Sequence, residues 1–278
     1  MTVIIFVNDL HIGHPFAVSP VSWVLHDGNV FTPNELQRQI REHWVFCWQQ
    51  VKQLRKGRRL VIVTVGDLIE GVHHETTQLI TQRIDTQEQM AVAVLEEGMK
   101  LAGFRKGDQI RFVTGTPSHD GNGLQSVERI ARNILDTDQD GRVSYDRLRF
   151  RVRGQLFDVA HQPGSGPGGR SWVYGNSFQA WLKSLYYESL ETGQPIPRYV
   201  VRAHYHTYLK RVVHNMTGEA VLTGFILPSW KLKDEHVYKR QAHALGSIGM
   251  LIMQIDKCGN VTEDVQRITI EQDHIEEL

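Results

Sequence analysis

The sequence predicts an α/β fold, on three observations. Short continuous apolar runs rich in β-branched residues (VIIFV at 3–7, LVIVTV at 60–65, IRFVT at 110–114) suit strands buried on both faces of a sheet. Between these runs, apolar residues recur at helical spacing. From about residue 143 the texture changes to alternating runs, as half-exposed antiparallel strands require.

The elements follow in order. The first strand ends in NDLHIGH. Thr32-Pro33-Asn34-Glu35 reads as a helix start, with Thr32 as cap, Pro33 at the first helical position and Glu35 closing a capping box. Leu36, Ile40, Trp44, Cys47, Trp48, Val51 and Leu54 then share a helical face, and Gly57 stops the run. After the second strand, residues 79–102 read as a helix. The third strand leads into GTPSHD, and Leu124, Val127, Ile130, Ala131, Ile134 and Leu135 mark a third helix. RLRFRV and QLFDVA read as strands paired around Gly154, followed by a glycine-rich loop at 164–169 and a helix at 176–191. RYVVRA, KRVVH, AVLTGFIL, IGMLIMQI and VQRITI complete a β-rich C-terminal half.

Composition narrows the class. The 278 residues are 41% hydrophobic with six Trp, which excludes a disordered chain. With 31 basic against 31 acidic residues the chain has no bulk charge with which to cling to DNA or membranes. Cys47 and Cys258 lie far apart with no CxxC, so neither a disulfide framework nor a zinc ribbon is expected. No apolar run approaches a membrane span, and MTVIIFV lacks the basic flank of a signal peptide. Without a repeat or linker, one cytoplasmic domain over residues 1–278 is the expectation. The 14 histidines, several in short clusters, are the unusual feature.

Polar residues recur just past the ends of the expected buried strands: Asp9 and His11, Asp67, His119, His161, then His204 and His206. In open α/β sheets, sites form in the crevice beyond the carboxyl ends of strands. Carboxylates and imidazoles together suit a divalent ion such as Mn, Fe, Zn or Ni. Two Asp and four or five His exceed the needs of one tetrahedral ion. That points to two divalent metal ions sharing a carboxylate, the arrangement that activates water and clamps a phosphate.

The ordered set NDLHIGH, VGDLIEG, VTGTPSHDG, VAHQPG and RAHYHTY, spanning residues 9–206, resembles the calcineurin-like metallophosphoesterase family. That family's pattern runs D-x-H, G-D-x-x-(D/E), G-N-(H/D)-(E/D), H, then G-H-x-H. The resemblance implies a four-layer αββα sandwich, two mixed β-sheets flanked by helices, with a dinuclear centre at the strand ends. It implies that Asp9, His11 and His206 hold one ion, that His161 and His204 hold the second, and that Asp67 bridges both. It makes His119 the catalytic histidine. Where the family has Gly-Asn, this chain has Gly115-Thr116, with Pro117 and Ser118 before His119. Water, Thr116, Ser118 or His119 completes the second site, or that ion binds weakly. The GTPSHD variant is similar to bacteriophage and prophage members.

The implied activity is hydrolysis of phosphodiesters or phosphomonoesters, with nucleotides or nucleic acid modestly favoured. The alternative is a catalytically weak or inactive interaction platform with one or no ion. The loop PGSGPGG at 163–169 lacks the GK(S/T) ending of a nucleotide-binding loop, but as a lid it would bring Arg170 forward as a phosphate contact. Arg147, Arg149, Arg151 and Arg153 share one strand face, a basic stripe about 20 Å long. A solvated outer face explains that stripe as well. DTDQDGRVSYD at 136–146 imitates half an EF-hand, but Arg147 stands where the bidentate Glu belongs, so a solvated turn is expected. His14, His26, His73 and His74 are expected to be mostly solvated and receive no role.

Overall fold

Along the first strand, β1 (Thr2–Val7), successive side chains enter two different cores: Val3, Ile5 and Val7 pack in one, Ile4 and Phe6 in the other. The computed structural model describes residues 1–73, 77–120, 125–134, 141–167, 173–233 and 247–270. After β1 come a small hairpin, β2 (Trp23–Val24) and β3 (Val30–Phe31), and helix α1 (Glu35–Arg55). Next are β4 (Arg59–Val65), α2 (Ile84–Leu101), β5 (Gln109–Val113), α3 (Gln125–Ile134) and β6 (Ser144–Tyr145). The remaining elements are β7 (Arg147–Val152), β8 (Gln155–Ala160), α4 (Asn176–Thr192), β9 (Tyr199–Arg202), β10 (Leu209–His214), β11 (Ala220–Ile226), β12 (Ile248–Ile255) and β13 (Val261–Ile268).

One sheet has the order β13-β12-β1-β4-β5-β6 and the other β10-β11-β9-β8-β7. Both are mixed: β1, β4, β5 and β6 run parallel, as do β8, β9 and β11, and the remaining neighbours run antiparallel. The side-chain period of two sorts the apolar residues into three cores. The first joins α1, α2 and α3 to one face of the larger sheet through Trp44, Trp48, Met90, Leu95 and Ile130. The second joins the two sheets, with Val61, Val63 and Val113 facing Phe157, Val159 and Val201. The third joins the smaller sheet to α4, with Val200, Leu222 and Ile226 against Phe178 and Leu182. Three cores between four layers make the αββα sandwich.

Local details depart from the pattern. Asn34, not Thr32, caps α1. Its side chain accepts from the Gln37 N–H at 2.9 Å while Gln37 Oε1 accepts from the Asn34 N–H at 3.2 Å. Asn34-x-x-Gln37 is as good a box as Thr32-x-x-Glu35, and its Nδ2 also donates to the Pro15 carbonyl at 2.8 Å, which selects it. Helix α2 starts at Ile84 because residues before it are pinned elsewhere: Ile80 N–H donates to the Gly13 carbonyl at 2.7 Å and Gln87 Nε2 to the Thr81 carbonyl at 2.8 Å. Three two-residue strands, β2, β3 and β6, are too short for any periodicity to reveal. The first five residues of the EF-hand-like stretch, 136–140, fall outside the described residues, and its end carries β6.

Candidate metal centre

The carboxyl ends of β1, β4, β8 and β9 meet at one edge of the sandwich. Asp9 N–H donates to the Gly66 carbonyl at 3.1 Å and His11 N–H to the Asp67 carbonyl at 3.0 Å, which locks the loops after β1 and β4 side by side. Among the described residues seven non-glycine residues have positive φ. Five of them are Asp9, His11, Asp67, His204 and His206. Such left-handed backbone costs roughly 1–3 kcal/mol per residue and persists only where surrounding structure enforces it. Two glycines allow the close approach. A Cβ at Gly66 would collide with the His161 ring, and one at Gly115 with the Asp67 carboxylate.

Six of the residues singled out in the sequence converge here. His11 Nε2 lies 3.1 Å from His206 Nε2, and His206 Nε2 lies 3.2 Å from Asp9 Oδ1. His161 Nε2 lies 3.0 Å from Asp67 Oδ2 and 4.0 Å from Asp9 Oδ1. Ligand-capable atoms of Asp9, His11 and His206 fall within 4.8 Å of one another, as do those of Asp67, His161 and His204. Asp67 Oδ2 also lies 3.9 Å from His11 Nε2, so this carboxylate stands between the two triplets.

The ring orientations are fixed from behind. His161 Nδ1 lies 2.7 Å from the Val65 carbonyl, which can only accept, so Nδ1 donates and Nε2 is the atom that faces the cluster. His11 Nδ1 is held in the same way by Glu70 Oε2 at 2.8 Å, and His119 Nδ1 by the Glu70 carbonyl at 2.7 Å. Asp67 Oδ1 accepts from Thr116 N–H at 2.7 Å and from the Thr116 hydroxyl at 3.0 Å, leaving Oδ2 toward the imidazoles. Asp9 Oδ2 accepts from Asn8 Nδ2 and from His204 N–H. Asp9 Oδ1 and His161 Nε2 are buried with no hydrogen bond. Two ligands bonded at about 2.1 Å to one ion stand roughly 3.0–3.4 Å apart, the spacing of the His11–His206, His206–Asp9 and His161–Asp67 contacts. Ligand atoms at these distances fit a divalent cation; without one, the His161 imidazolium faces the Asp67 carboxylate as an ion pair.

Burial opposes charge on Asp9, but His206, His11 and His161 hold its carboxyl well below the ordinary range. Asp67 is held low by His161 and His11 against the same burial. Burial would draw the His161 imidazolium down, yet Asp67 and Asp9 outweigh it and push it up to about 10. His119 behaves in the opposite way. Burial, then the neighbouring His11, push it down to about 3, so its environment does not make it a group titrating near neutrality. Asp120, buried beside Asp67, is pushed up to about 7 by burial and by that charge.

Sequence reasoning missed three supports. Glu70, 2% exposed, is ringed by His11, by His73 Nε2 at 3.1 Å and by Lys231 Nζ at 3.2 Å from both oxygens. His73 is not solvated but stacks edge-on against His119 with ring centroids 4.4 Å apart. His14 is likewise buried, its Nδ1 accepting from the Phe16 N–H at 3.0 Å. Of these supports, only the (D/E) position of the second motif, Glu70, carried a sequence signal. Arg170 and His74 lie outside the described residues. The basic stripe is split, because Arg147 and Arg149 both pair with the buried Asp158.

No family model matches the chain, and no curated protein matches it. Solved structures similar to it include Vps29 from Entamoeba histolytica complexed with zinc, at 8% identity over 96% of this chain and 98% of that one, TM-score 0.39. A conserved Streptococcus pneumoniae protein described as a predicted phosphoesterase shares 11% identity over 95% of this chain and 97% of its own, TM-score 0.35. Vps29 from Chaetomium thermophilum shares 9% over 98% of both chains, TM-score 0.37. Likenesses this distant say nothing of activity. Among the described residues no helix is long and apolar enough to cross a membrane.

Proposed function

We propose that the chain is a metal-dependent phosphoesterase. Asp9, His11 and His206 would hold one divalent ion, His161 and His204 would hold a second, and Asp67 would serve both. The observation that carries this reading is Asp9 Oδ1: fully buried, with imidazole nitrogens of His206, His11 and His161 at 3.2, 3.7 and 4.0 Å, and no hydrogen bond to any of them. A pair of divalent ions, when bound, supplies an acidified water and neutralises the charge of a phosphate. The chain's own part is to aim the ligands and move a proton.

Thr116 serves here as the group that orients Asp67, since its hydroxyl and its N–H both end on Oδ1. The His119 ring, anchored through Nδ1, leaves Nε2 as the atom that exchanges a proton with a substrate oxygen. Neutral in the free protein, it becomes an acid when an anionic phosphate offsets its burial. Phosphodiesters, nucleotides and nucleic acid foremost, are the substrates to test first. The ions are Mn, Fe, Zn or Ni. Elemental analysis of the purified chain together with a panel of phosphomonoester, phosphodiester and nuclease assays tests the reading. Two ions with turnover support it. No bound metal and no turnover favour the interaction platform, for which the commitment of the Thr116 hydroxyl to Asp67 is the one favourable observation.

A further inference from the structure

At the opposite end of the same strands the two sheets do not close. Arg59 lies at the start of β4 and Arg111 lies on β5, on the faces that further along carry Val61, Val63 and Val113 into the inter-sheet core. Across from them stand Leu148, Phe150 and Val152 of β7, with Arg151 and Arg153 at its end. Together with Met1, Thr2 and Gln109 these residues line a cleft of about 500 Å³, within the range of about 300–1,000 Å³ usual for small-molecule sites.

The cleft has an apolar floor and four arginines, and no carboxylate lines it. Among the described residues none of the four makes an ion pair. Arg59 donates to Gln109 Oε1 at 2.6 Å, Arg111 to the carbonyl of Ile110 at 2.8 Å and Arg151 to that of Gly154 at 3.3 Å. The contrast lies on one strand: Arg147 and Arg149, on β7, are answered by Asp158, whereas Arg151 and Arg153 are not. In a chain with no net charge this is a local excess of four positive charges. Phe150 is half-buried and lines the cleft, and it stacks on Phe157 with centroids 5.0 Å apart and planes at 6°.

We propose that this cleft is a second, non-catalytic binding site for a nucleotide, its base over Phe150 and its phosphates on Arg59, Arg111 and Arg153. Arginine forks suit phosphate oxygens, and the apolar floor distinguishes a nucleotide from a bare polyanion. The seven residues of β4 separate Arg59 from Asp67 by roughly 20 Å, so a ligand here is out of reach of the metal cluster.

Isothermal titration of the metal-stripped chain, in which the cluster holds no ion to take a phosphate, with the non-hydrolysable β,γ-imido analogue of ATP tests this. Arg111→Ala weakens binding roughly tenfold or more, Phe150→Leu weakens it several-fold, and Asp67→Asn leaves it unchanged. Inorganic tripolyphosphate binds more weakly than the nucleotide. Should Arg111→Ala not fold, the double variant of Arg59→Ala and Arg153→Ala at the exposed rim reads the same loss. Affinity unmoved by the arginine variants, abolished by Asp67→Asn, matched by tripolyphosphate, or undetectable at millimolar nucleotide overturns the proposal. None of these readouts depends on hydrolysis, so its fate is separate from that of the phosphoesterase reading.

Discussion

Glu70 orients two histidines at once: its carboxylate holds His11 Nδ1 at 2.8 Å and its backbone carbonyl holds His119 Nδ1 at 2.7 Å. The ligand-capable atoms of these three residues also cluster within 4.8 Å, but the atoms that meet are already engaged in these hydrogen bonds. Glu70 therefore stands behind the proposed ligands. Glu70→Gln keeps the shape but gives up the negative charge that polarises His11. Metal affinity falls about 10–100-fold, read by chelator competition, while the His119 contact, made by backbone, persists. Unchanged affinity removes this role.

Lys231 extends the same chain of contacts. Its ammonium, 4% exposed, lies 3.2 Å from both Glu70 oxygens. Lys231→Met leaves a buried carboxylate with less compensation, which destabilises the fold by roughly 3–5 kcal/mol. Thermal unfolding of the metal-free chain reads this directly, and a midpoint shift of less than a degree or two rules it out.

Metal uptake is expected to follow pH. In the metal-free chain burial pulls the His161 imidazolium down, but Asp67 and Asp9 raise it to about 10, so at neutral pH the ring carries a proton. A cation needs the neutral Nε2, and binding must expel that proton. Affinity therefore rises with pH, by roughly tenfold per unit below that value for one displaced proton. Titrating metal into the stripped protein in buffers of different ionisation enthalpy counts the protons released, and a count of zero contradicts the protonated His161.

Much of this centre was legible in the sequence because buried strands announce themselves: VIIFV, LVIVTV and IRFVT could only be strands or short buried helices, and Asp9, Asp67 and the histidines stand where such strands end. The contacts behind the ligands were not legible. Glu70 and Lys231 lie 161 residues apart, and no local pattern ties a lysine beyond β11 to a glutamate beyond β4. The partners of the basic stripe were hidden for the same reason. Its alternation on β7 was correct, yet Asp158, which neutralises half of it, belongs to the partner strand and looks in the sequence like one acid inside QLFDVA. Helix starts were displaced where a second cap of equal quality lay nearby, as with Asn34 against Thr32.

Asp67 is the residue both triplets share, through Oδ2 at 3.0 Å from His161 and 3.9 Å from His11. Asp67→Asn preserves the Thr116 hydrogen bonds at Oδ1, so the loop keeps its course and circular dichroism stays as in the wild type. It replaces the shared anion by a neutral amide, and metal-dependent hydrolysis is abolished. Retained turnover in a correctly folded variant removes the bridging role.

His119 tests the division of labour between ligands and proton transfer. Its ring packs edge-on against His11, with centroids 4.4 Å apart, yet its Nδ1 is occupied by the Glu70 carbonyl and its side chain keeps 16% exposure toward solvent. Exposure alone does not separate the two roles, since His206 keeps 21%, so the variant has to. His119→Ala is expected to lower kcat by about 10²–10⁴ with metal content near that of the wild type. Because burial and His11 depress the ring to about 3 in the free protein, the substrate must raise that value for the acid form to exist at neutral pH. The wild-type pH profile of kcat then shows an ionisation well above 3, and His119→Ala removes it. Loss of an ion from the variant, read by elemental analysis, reassigns His119 as a ligand.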